Sequence, residues 1–373
     1  MRVAVVINTA WNIYNFRMGL INKLIAKEVE VYAIAPEDNY GPLLVQKGCR
    51  YIPIEMDNTG TNPWKDIQLT WRLFALYKQI RPDLILHFTI KPNIYGTIAA
   101  RLLGIPVINN VCGLGTVFMK DSLANRVAKW MYRFAFRFPE VVFFQNTEDR
   151  ELFVEEKFVR PEIAHVLPGS GINLNHFMPK DFKKNKEFTF LVVARLLYDK
   201  GIVEYVEAVK SLRVKGIMAK FQLLGPPDPS HKRGISPALL EEWINQDIIE
   251  YLGTTDDVRC FIDKADCIVL PSYREGTPRT LLEAASLGKP IVATNVPGCN
   301  NVVENNYNGF LCKLKDAADL AGKMYDMLLL NEEAWEQMAK NSRTKVERQF
   351  DEQVVIEKYM NAISAILSDE SPS

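Results

Sequence analysis

Glu275 and Glu283, with seven residues between them, lie in a segment from Pro271 onward that follows a short apolar run and opens a helical stretch. A carboxylate offers two oxygens to neighbouring hydroxyl hydrogens, which suits a sugar or ribose diol. Gly276, Thr277, Pro278, Arg279 and Thr280 stand at the helix start, where the amides of Thr277, Arg279 and Thr280 make a natural phosphate or sugar-oxygen site. Pro278 suits the first helical position, with Glu283 about one turn in. The plainer reading is a pair of solvated acids complementing the helix dipole. Upstream, Arg195 and Lys200 border another strand-to-helix turn. A guanidinium fork fits phosphate oxygens bidentately and an ammonium serves as a point charge, although a surface pair at a helix start has the same spacing.

These residues need a scaffold, and the hydrophobic pattern supplies one. Short apolar runs are expected as strands at 2–8, 30–35, 50–55, 83–88, 106–111, 141–146 and 164–167, with helical windows between them. The alternation restarts with strands at 188–194, 220–225, 249–252, 267–271 and 290–294. Continuous apolar strands separated by helices imply parallel sheets covered on both faces. The fold class expected is α/β: two Rossmann-like, doubly wound parallel-sheet domains facing a cleft at the carboxyl ends of their strands. Residues 1–172 form the first domain and 188–350 the second. The polar, lysine-rich stretch 173–187, with Pro179, is read as the linker.

Composition narrows the classes. The chain has 373 residues, enough for two domains, with 48% hydrophobic and 24% charged residues. Forty-five basic and 45 acidic side chains cancel, which excludes a nucleic-acid binder acting by bulk positive charge. The six cysteines form no CxxC pair and read as reduced thiols of a cytoplasmic protein. The amino-terminal apolar run is too short for a signal peptide, and no stretch of 18 apolar residues occurs. No D-x-D triplet and no clustered His/Cys/Asp set suggests a metal site, so none is expected.

Glu275 and Glu283, followed by Ala284 through Pro290, resemble the E-x7-E signature of the retaining family-4 glycosyltransferases with the GT-B fold. Val193 through Gly201 looks like that family's Arg…Lys-Gly phosphate clamp. Val296-Pro297-Gly298 through Glu304, with Gly309-Phe310-Leu311, is similar to its closing motif. The resemblance implies that Arg195 and Lys200 hold a donor diphosphate, that Glu275 contacts the donor sugar and that Glu283 binds the ribose hydroxyls. Arg195, Lys200 and Glu275 are then the catalytic set. Gly276, Thr277, Pro278, Arg279 and Thr280 surround the donor, and Thr254 and Thr255 lie in a turn similar to the one that reads the base, most often uracil. It also implies a UDP-sugar co-substrate, no metal cofactor, and a carboxyl-terminal helix, 351–373, returning to the first domain.

In the first half, Asn8 through Arg17 has no glycine where many relatives carry a glycine-rich loop. It resembles a subgroup acting on polyprenyl-diphosphate-linked sugars, including bacterial N-acetylgalactosaminyltransferases. Asn12, Arg17, Lys91, Gly113 and Gly115 are the acceptor candidates. Arg17 meets the acceptor diphosphate on one reading and is an ordinary first-helix arginine on the other. Gly113 and Gly115 permit close backbone approach or simply make a turn. His87 and Lys91 flank the loop after the fourth strand, where a lone histidine is more often structural.

Residues 122–138 carry Arg126, Lys129, Arg133 and Arg137 at helical spacing, with Trp130 and other large apolar residues on another face. Such a helix lies on an anionic bilayer, or buries its apolar side against the sheet. The first 170 residues hold 20 basic and 16 acidic side chains, and 120–138 alone supplies five basic and one acidic. The reading is a retaining glycosyltransferase moving a hexose or HexNAc from a UDP-sugar to a polyprenyl-diphosphate-linked saccharide at the inner face of the cytoplasmic membrane. A UDP-sugar 2-epimerase and a noncatalytic nucleotide-sugar-binding scaffold are the alternatives.

Overall fold

The computed structural model describes residues 1–57, 62–114, 123–229 and 231–369. The chain divides into two compact units: Met1–Ser170 with Glu352–Ser373, and Gly171–Asp351.

The first unit is built on a parallel sheet of β1 (Arg2–Val6), β2 (Glu30–Ala35), β3 (Arg50–Pro53), β4 (Leu84–Phe88), β5 (Val107–Val111), β6 (Val141–Phe144) and β7 (Ala164–Val166). Its spatial order is β3, β2, β1, β4, β5, β6, β7. Val3, Val5, Leu84 and Leu86 face one apolar cluster and Ala4, Val6 and Ile85 the other, so the central strands are buried on both faces. That explains their unbroken apolar runs, each fully buried Val, Leu or Ile contributing about 1.5–3 kcal/mol. The order reverses between β1 and β4, and ligands of open α/β sheets bind at the carboxyl ends of the strands at such a point.

The carboxyl-terminal helix Glu352–Asp369 belongs to this unit. Val355, Ile356, Tyr359, Met360 and Ile363 recur at helical spacing and join the cluster holding Leu20, Ile21 and Leu24. Tyr359 is buried against Phe88 and Phe143, and its hydroxyl accepts from Asn110 Nδ2 at 2.7 Å.

The second unit repeats the plan with β8 (Thr189–Val193), β9 (Lys220–Leu224), β10 (Glu250–Tyr251), β11 (Cys267–Leu270), β12 (Ile291–Thr294) and β13 (Gly309–Cys312). All pairs are parallel, in the order β10, β9, β8, β11, β12, β13, and the order reverses between β8 and β11. Strand β13 lies outside the expected set. It is four residues long and starts at Gly309, where a Cβ would come within 2.0 Å of the Ile291 carbonyl oxygen.

Residues 173–187 are not a free linker. Phe177 is buried in the second unit, and its carbonyl accepts from Ser286 Oγ at 2.8 Å and Arg343 Nη1 at 2.7 Å. Asn185 N donates to Asp266 Oδ1 at 2.7 Å, and Lys184 Nζ to the Leu330 carbonyl at 2.7 Å. Of the lysines that look like solvated linker charges, Lys184 donates to backbone carbonyls and Lys180 pairs with Asp263 Oδ2 at 2.7 Å.

Candidate active site

Because β8 and β11 are neighbours, the loops that follow them are neighbours too. Gly201 has φ +72°, and a Cβ there would lie 2.1 Å from the Pro271 carbonyl oxygen, so the two loops touch backbone to backbone. Tyr273 N donates to the Asp199 carbonyl at 2.9 Å across the same seam. The seam sets Lys200 Nζ 2.5 Å from Glu275 Oε1, with side chains 23% and 13% exposed. Water screens a pair this enclosed less than a surface pair. Gly298, φ +85°, backs the loop: a Cβ there would be 2.3 Å from the Gly276 carbonyl oxygen. The three sequence motifs of the second half therefore meet in space.

Arg195 sits on the rim of this unit's loops, its side chain 59% exposed and 3.9 Å from Asp228 Oδ2. That contact is long and solvated, so the guanidinium is easily recruited by a stronger anion. Lys200 has three N–H donors, of which Glu275 takes one.

The helix after the loop spans Arg279–Ser286, with Pro278 at its N-cap (φ −68°, ψ 116°) and not at the first helical position. The extended ψ of Pro278 delays the first turn by one residue. Glu283 is buried, and burial raises its carboxyl above the usual range against the opposing charge of Arg279. Arg279 Nε donates to Glu283 Oε1 at 3.1 Å, Nη1 donates to the Gly171 carbonyl at 2.5 Å, and the guanidinium lies over Phe177. The Arg279 side chain thus fixes Glu283. Thr280 Oγ1 donates to the Val193 carbonyl at 3.1 Å, tying the helix start to the end of β8. Thr254 is exposed, and Thr255 Oγ1 both accepts from Asp257 N at 3.1 Å and donates to its carbonyl at 3.0 Å. Hydrogen bonds from Arg259 hold Asp257 down to about 2, and its charge acts on Glu283, placing this turn on the Glu283 side.

Tyr273 is the residue that sequence reasoning missed. Besides its backbone bond to Asp199, its hydroxyl donates to Glu204 Oε1 at 2.6 Å, and burial together with that carboxylate raises the phenol. It joins the Glu275 loop to helix Ile202–Val214 directly after Lys200. Its partner is 69 positions away, so no local pattern signals it. Tyr273→Phe keeps the ring and removes this brace. It is expected to lower kcat/KM for donor about tenfold and the melting temperature by a few degrees, because the Glu204 carboxylate loses its hydroxyl partner. Unchanged kcat/KM would reduce the hydroxyl to a packing detail.

In the first unit, Thr9 caps helix Ala10–Phe16, and Asn12 N donates to its hydroxyl at 3.1 Å while Asn12 Nδ2 donates to Asn8 Oδ1 at 2.9 Å. Arg17 is not an ordinary exposed helix residue. It is 4% exposed, lies at the junction with helix Met18–Ile25, stacks 4.2 Å over Phe88 at the end of β4 and reaches Cys112 Sγ at 3.7 Å. No described carboxylate pairs with it, and its Nε is buried without a partner. Gly113, φ +128°, follows β5 in a conformation that favours glycine. Gly115 lies outside the described residues.

Two expectations at β4 are corrected or resolved. Lys91 does not present a free ammonium: Nζ lies 2.6 Å from Asp66 Oδ1, and Tyr95 donates to Asp66 Oδ2 at 2.8 Å, an enclosed cluster. His87 is structural. It is wholly buried between the Tyr77 hydroxyl and Asn109 Oδ1, and burial pushes its imidazole down to about 3, so it stays neutral.

Within 122–138 the observed helix is Leu123–Ala135, and Ser122 lies outside the described residues. Both faces are used: Tyr132, Ala135 and Phe136 are buried, whereas Val127, Trp130 and Phe134 project outward. Arg126, Arg133 and Arg137 are exposed and Lys129 is half-buried; Arg133 Nη2 also donates to the Glu156 carbonyl at 2.8 Å. No helix among the described residues is long and apolar enough to cross a membrane.

Comparison with known proteins gives concordant matches. The family model described as glycosyl transferases group 1 matches residues 175–345, and the glycosyl transferase 4-like domain matches 16–169. A Campylobacter jejuni N,N'-diacetylbacillosaminyl-diphospho-undecaprenol alpha-1,3-N-acetylgalactosaminyltransferase is 30% identical over 99% of this chain and 100% of its own length. An Escherichia coli UDP-Gal:alpha-D-GlcNAc-diphosphoundecaprenol alpha-1,3-galactosyltransferase is 28% identical over 76% of this chain and 75% of its own. Among solved structures, Anabaena HepE in complex with UDP and glucose superposes with a TM-score of 0.80 at 18% identity, covering 98% of this chain and 100% of that one. With both halves matched and a full-length relative at 30% identity, the chain belongs to the group 1 glycosyltransferases and has their GT-B fold.

Proposed function

We propose that the protein transfers a hexose or HexNAc from a UDP-sugar to a polyprenyl-diphosphate-linked saccharide, with retention of anomeric configuration, in cell-surface glycan assembly. The observation that carries this reading is the enclosed Lys200–Glu275 pair at the second unit's switch point, beside a buried Glu283 held by Arg279. Lys200 and Arg195 bind the donor diphosphate, Glu275 a donor-sugar hydroxyl and Glu283 the ribose diol. Gly276, Thr277 and Thr280 shape the phosphate and sugar side, and Thr254 and Thr255 the base side. Arg17, Asn12 and Gly113 serve the acceptor, Arg17 as the buried cation for its diphosphate.

As the bond from the anomeric carbon to the β-phosphate oxygen breaks, negative charge grows on the departing UDP. Fixed cations and the helix start stabilise that charge more in the transition state than in the ground state. The acceptor hydroxyl oxygen bonds to the same face of the anomeric carbon, and its proton passes to the leaving phosphate oxygen, so no side-chain base is required. Because protein cations neutralise the diphosphate, the reaction needs no divalent metal.

The acceptor assignment is supported by the two relatives, whose names specify diphospho-undecaprenol-linked sugars. A lipid-linked acceptor places the enzyme on a membrane surface, which the outward face of Leu123–Ala135 with Arg126, Lys129, Trp130, Arg133 and Arg137 suits. The test is a thermal-shift panel of UDP-, GDP- and ADP-sugars run with EDTA present. UDP-sugars are expected to raise the melting temperature, since a ligand that binds only the folded state stabilises it. Stabilisation by another nucleotide alone, or only on adding a divalent cation, would contradict this donor assignment.

A further inference from the structure

Helix Pro63–Ile80 carries a second apolar face that the core does not use. Trp64, Ile67 and Trp71 are 76%, 49% and 60% exposed, at positions i, i+3 and i+7, and the Trp71 ring stands edge-on to Phe74, which itself packs against the core. At 100° per residue this row lies on a flank separate from Leu69, Leu73, Tyr77 and Ile80, which pack into the sheet. Two tryptophans held out in water on one rigid helix mark an interaction surface, since each ring offers roughly 150–250 Å² of contact area.

The neighbouring helix says what it meets. Tyr95 donates to Asp66 on this helix at 2.8 Å and lies 3.6 Å from Met131 Sδ on Leu123–Ala135, so one side chain buttresses both helices. Leu123–Ala135 exposes Val127, Trp130 and Phe134, with Trp130 and Phe134 stacked. Together the two helices contain six cations, Lys65, Arg72, Lys78, Arg126, Lys129 and Arg133, against one acid, Asp66. That acid is buried and paired with Lys91. Lys65 and Arg72 pair with Asp57 and Glu55 on the flank away from the tryptophans, so the charge offered to lipid is that of Lys78 and of the cations on Leu123–Ala135. Exposed tryptophans on helices free of exposed acids, bordered by cations on flexible stems, have the chemistry of a bilayer interface. The rings sit at the headgroup level, the stems snorkel, and anionic lipid attracts the charge.

We propose that helices Pro63–Ile80 and Leu123–Ala135 form one two-helix docking surface for an anionic lipid bilayer, with Trp64, Ile67 and Trp71 as its inserted residues. The proposal rests on the lipid-linked acceptor reading, to which it adds the physical contact. It is tested by co-sedimenting the full chain with vesicles of phosphatidylethanolamine and phosphatidylglycerol, and with phosphatidylcholine alone. Wild type is expected to prefer the anionic vesicles. Trp64→Ser/Trp71→Ser is expected to weaken that partition at least about tenfold, with melting temperature and UDP-induced thermal shift unchanged. Brominated lipids are expected to quench wild-type tryptophan fluorescence and to quench that of the double variant less. Wild-type binding that the double variant retains in full would overturn the role of this helix. A wild-type chain that ignores all vesicles, or a dimer that only the tryptophan variant dissociates, would overturn docking to lipid. Transfer to a short-chain, water-soluble polyprenyl-diphosphate sugar reads the acceptor assignment separately, so the two failures are distinguishable.

Discussion

Lys200→Ala is expected to lower kcat by about two to three orders of magnitude, the loss seen when one fixed donor to developing charge is removed. The ammonium is already part-enclosed and held at 2.5 Å by Glu275, so little reorganisation separates it from a departing phosphate. KM for the donor should move less than kcat, because the interaction strengthens as charge accumulates on the leaving group. Stability should fall modestly, since Glu275, 13% exposed, loses its counter-charge while still largely shielded from water. Lys200→Arg should recover only part of the loss, because a planar fork does not fit a position built for a point charge. Near-normal turnover of a folded Lys200→Ala enzyme would remove Lys200 from the catalytic set.

Glu275→Ala is expected to cost a comparable factor by another route. It deletes a carboxylate assigned to a donor-sugar hydroxyl and frees Lys200 from its anchor. A site built to hydrogen-bond a hydroxyl loses heavily when one partner is missing. Glu275→Gln separates the two roles, because it keeps an acceptor oxygen but removes the charge that holds Lys200. We expect Glu275→Gln to retain donor binding in thermal shift while kcat stays low, and Glu275→Ala to lose both. Steady-state kinetics on the pair of variants checks this; equal and mild effects would mean that Glu275 serves only as counter-ion.

Much of the scaffold is legible in the sequence because parallel strands buried on both faces must be apolar throughout, as 3–6 and 190–193 are. Strand β13 is not legible, since four residues beginning with Gly309 carry too little pattern to separate from a turn. The meeting of Lys200 with Glu275 follows from topology: motifs 75 positions apart lie on loops after adjacent strands. What topology alone does not give is the pairing of side chains. Lys91 reads as an available cation until Asp66, 25 positions earlier, proves to hold it. Arg17 reads either as an acceptor-diphosphate ligand or as an ordinary first-helix arginine, and its burial comes from Phe88 at the end of β4 and Cys112 just after β5, which the local sequence does not show. Tyr273 carries no signal at all, because its meaning lies in Glu204 on another element. Lysine-rich 173–187 looks like a linker because composition records charge and not the contacts that hold the stretch to its unit, such as Phe177 in the core and Lys184 on the Leu330 carbonyl.

The most direct test of the central claim is the product of a single incubation: purified protein, an isotopically labelled UDP-sugar and a short-chain polyprenyl-diphosphate-linked saccharide, in buffer containing EDTA, read by NMR at the new anomeric centre. A glycosidic bond with the anomeric configuration of the donor is expected. An inverted anomer, dependence on a divalent metal, or conversion of the UDP-sugar to its epimer without transfer would contradict it.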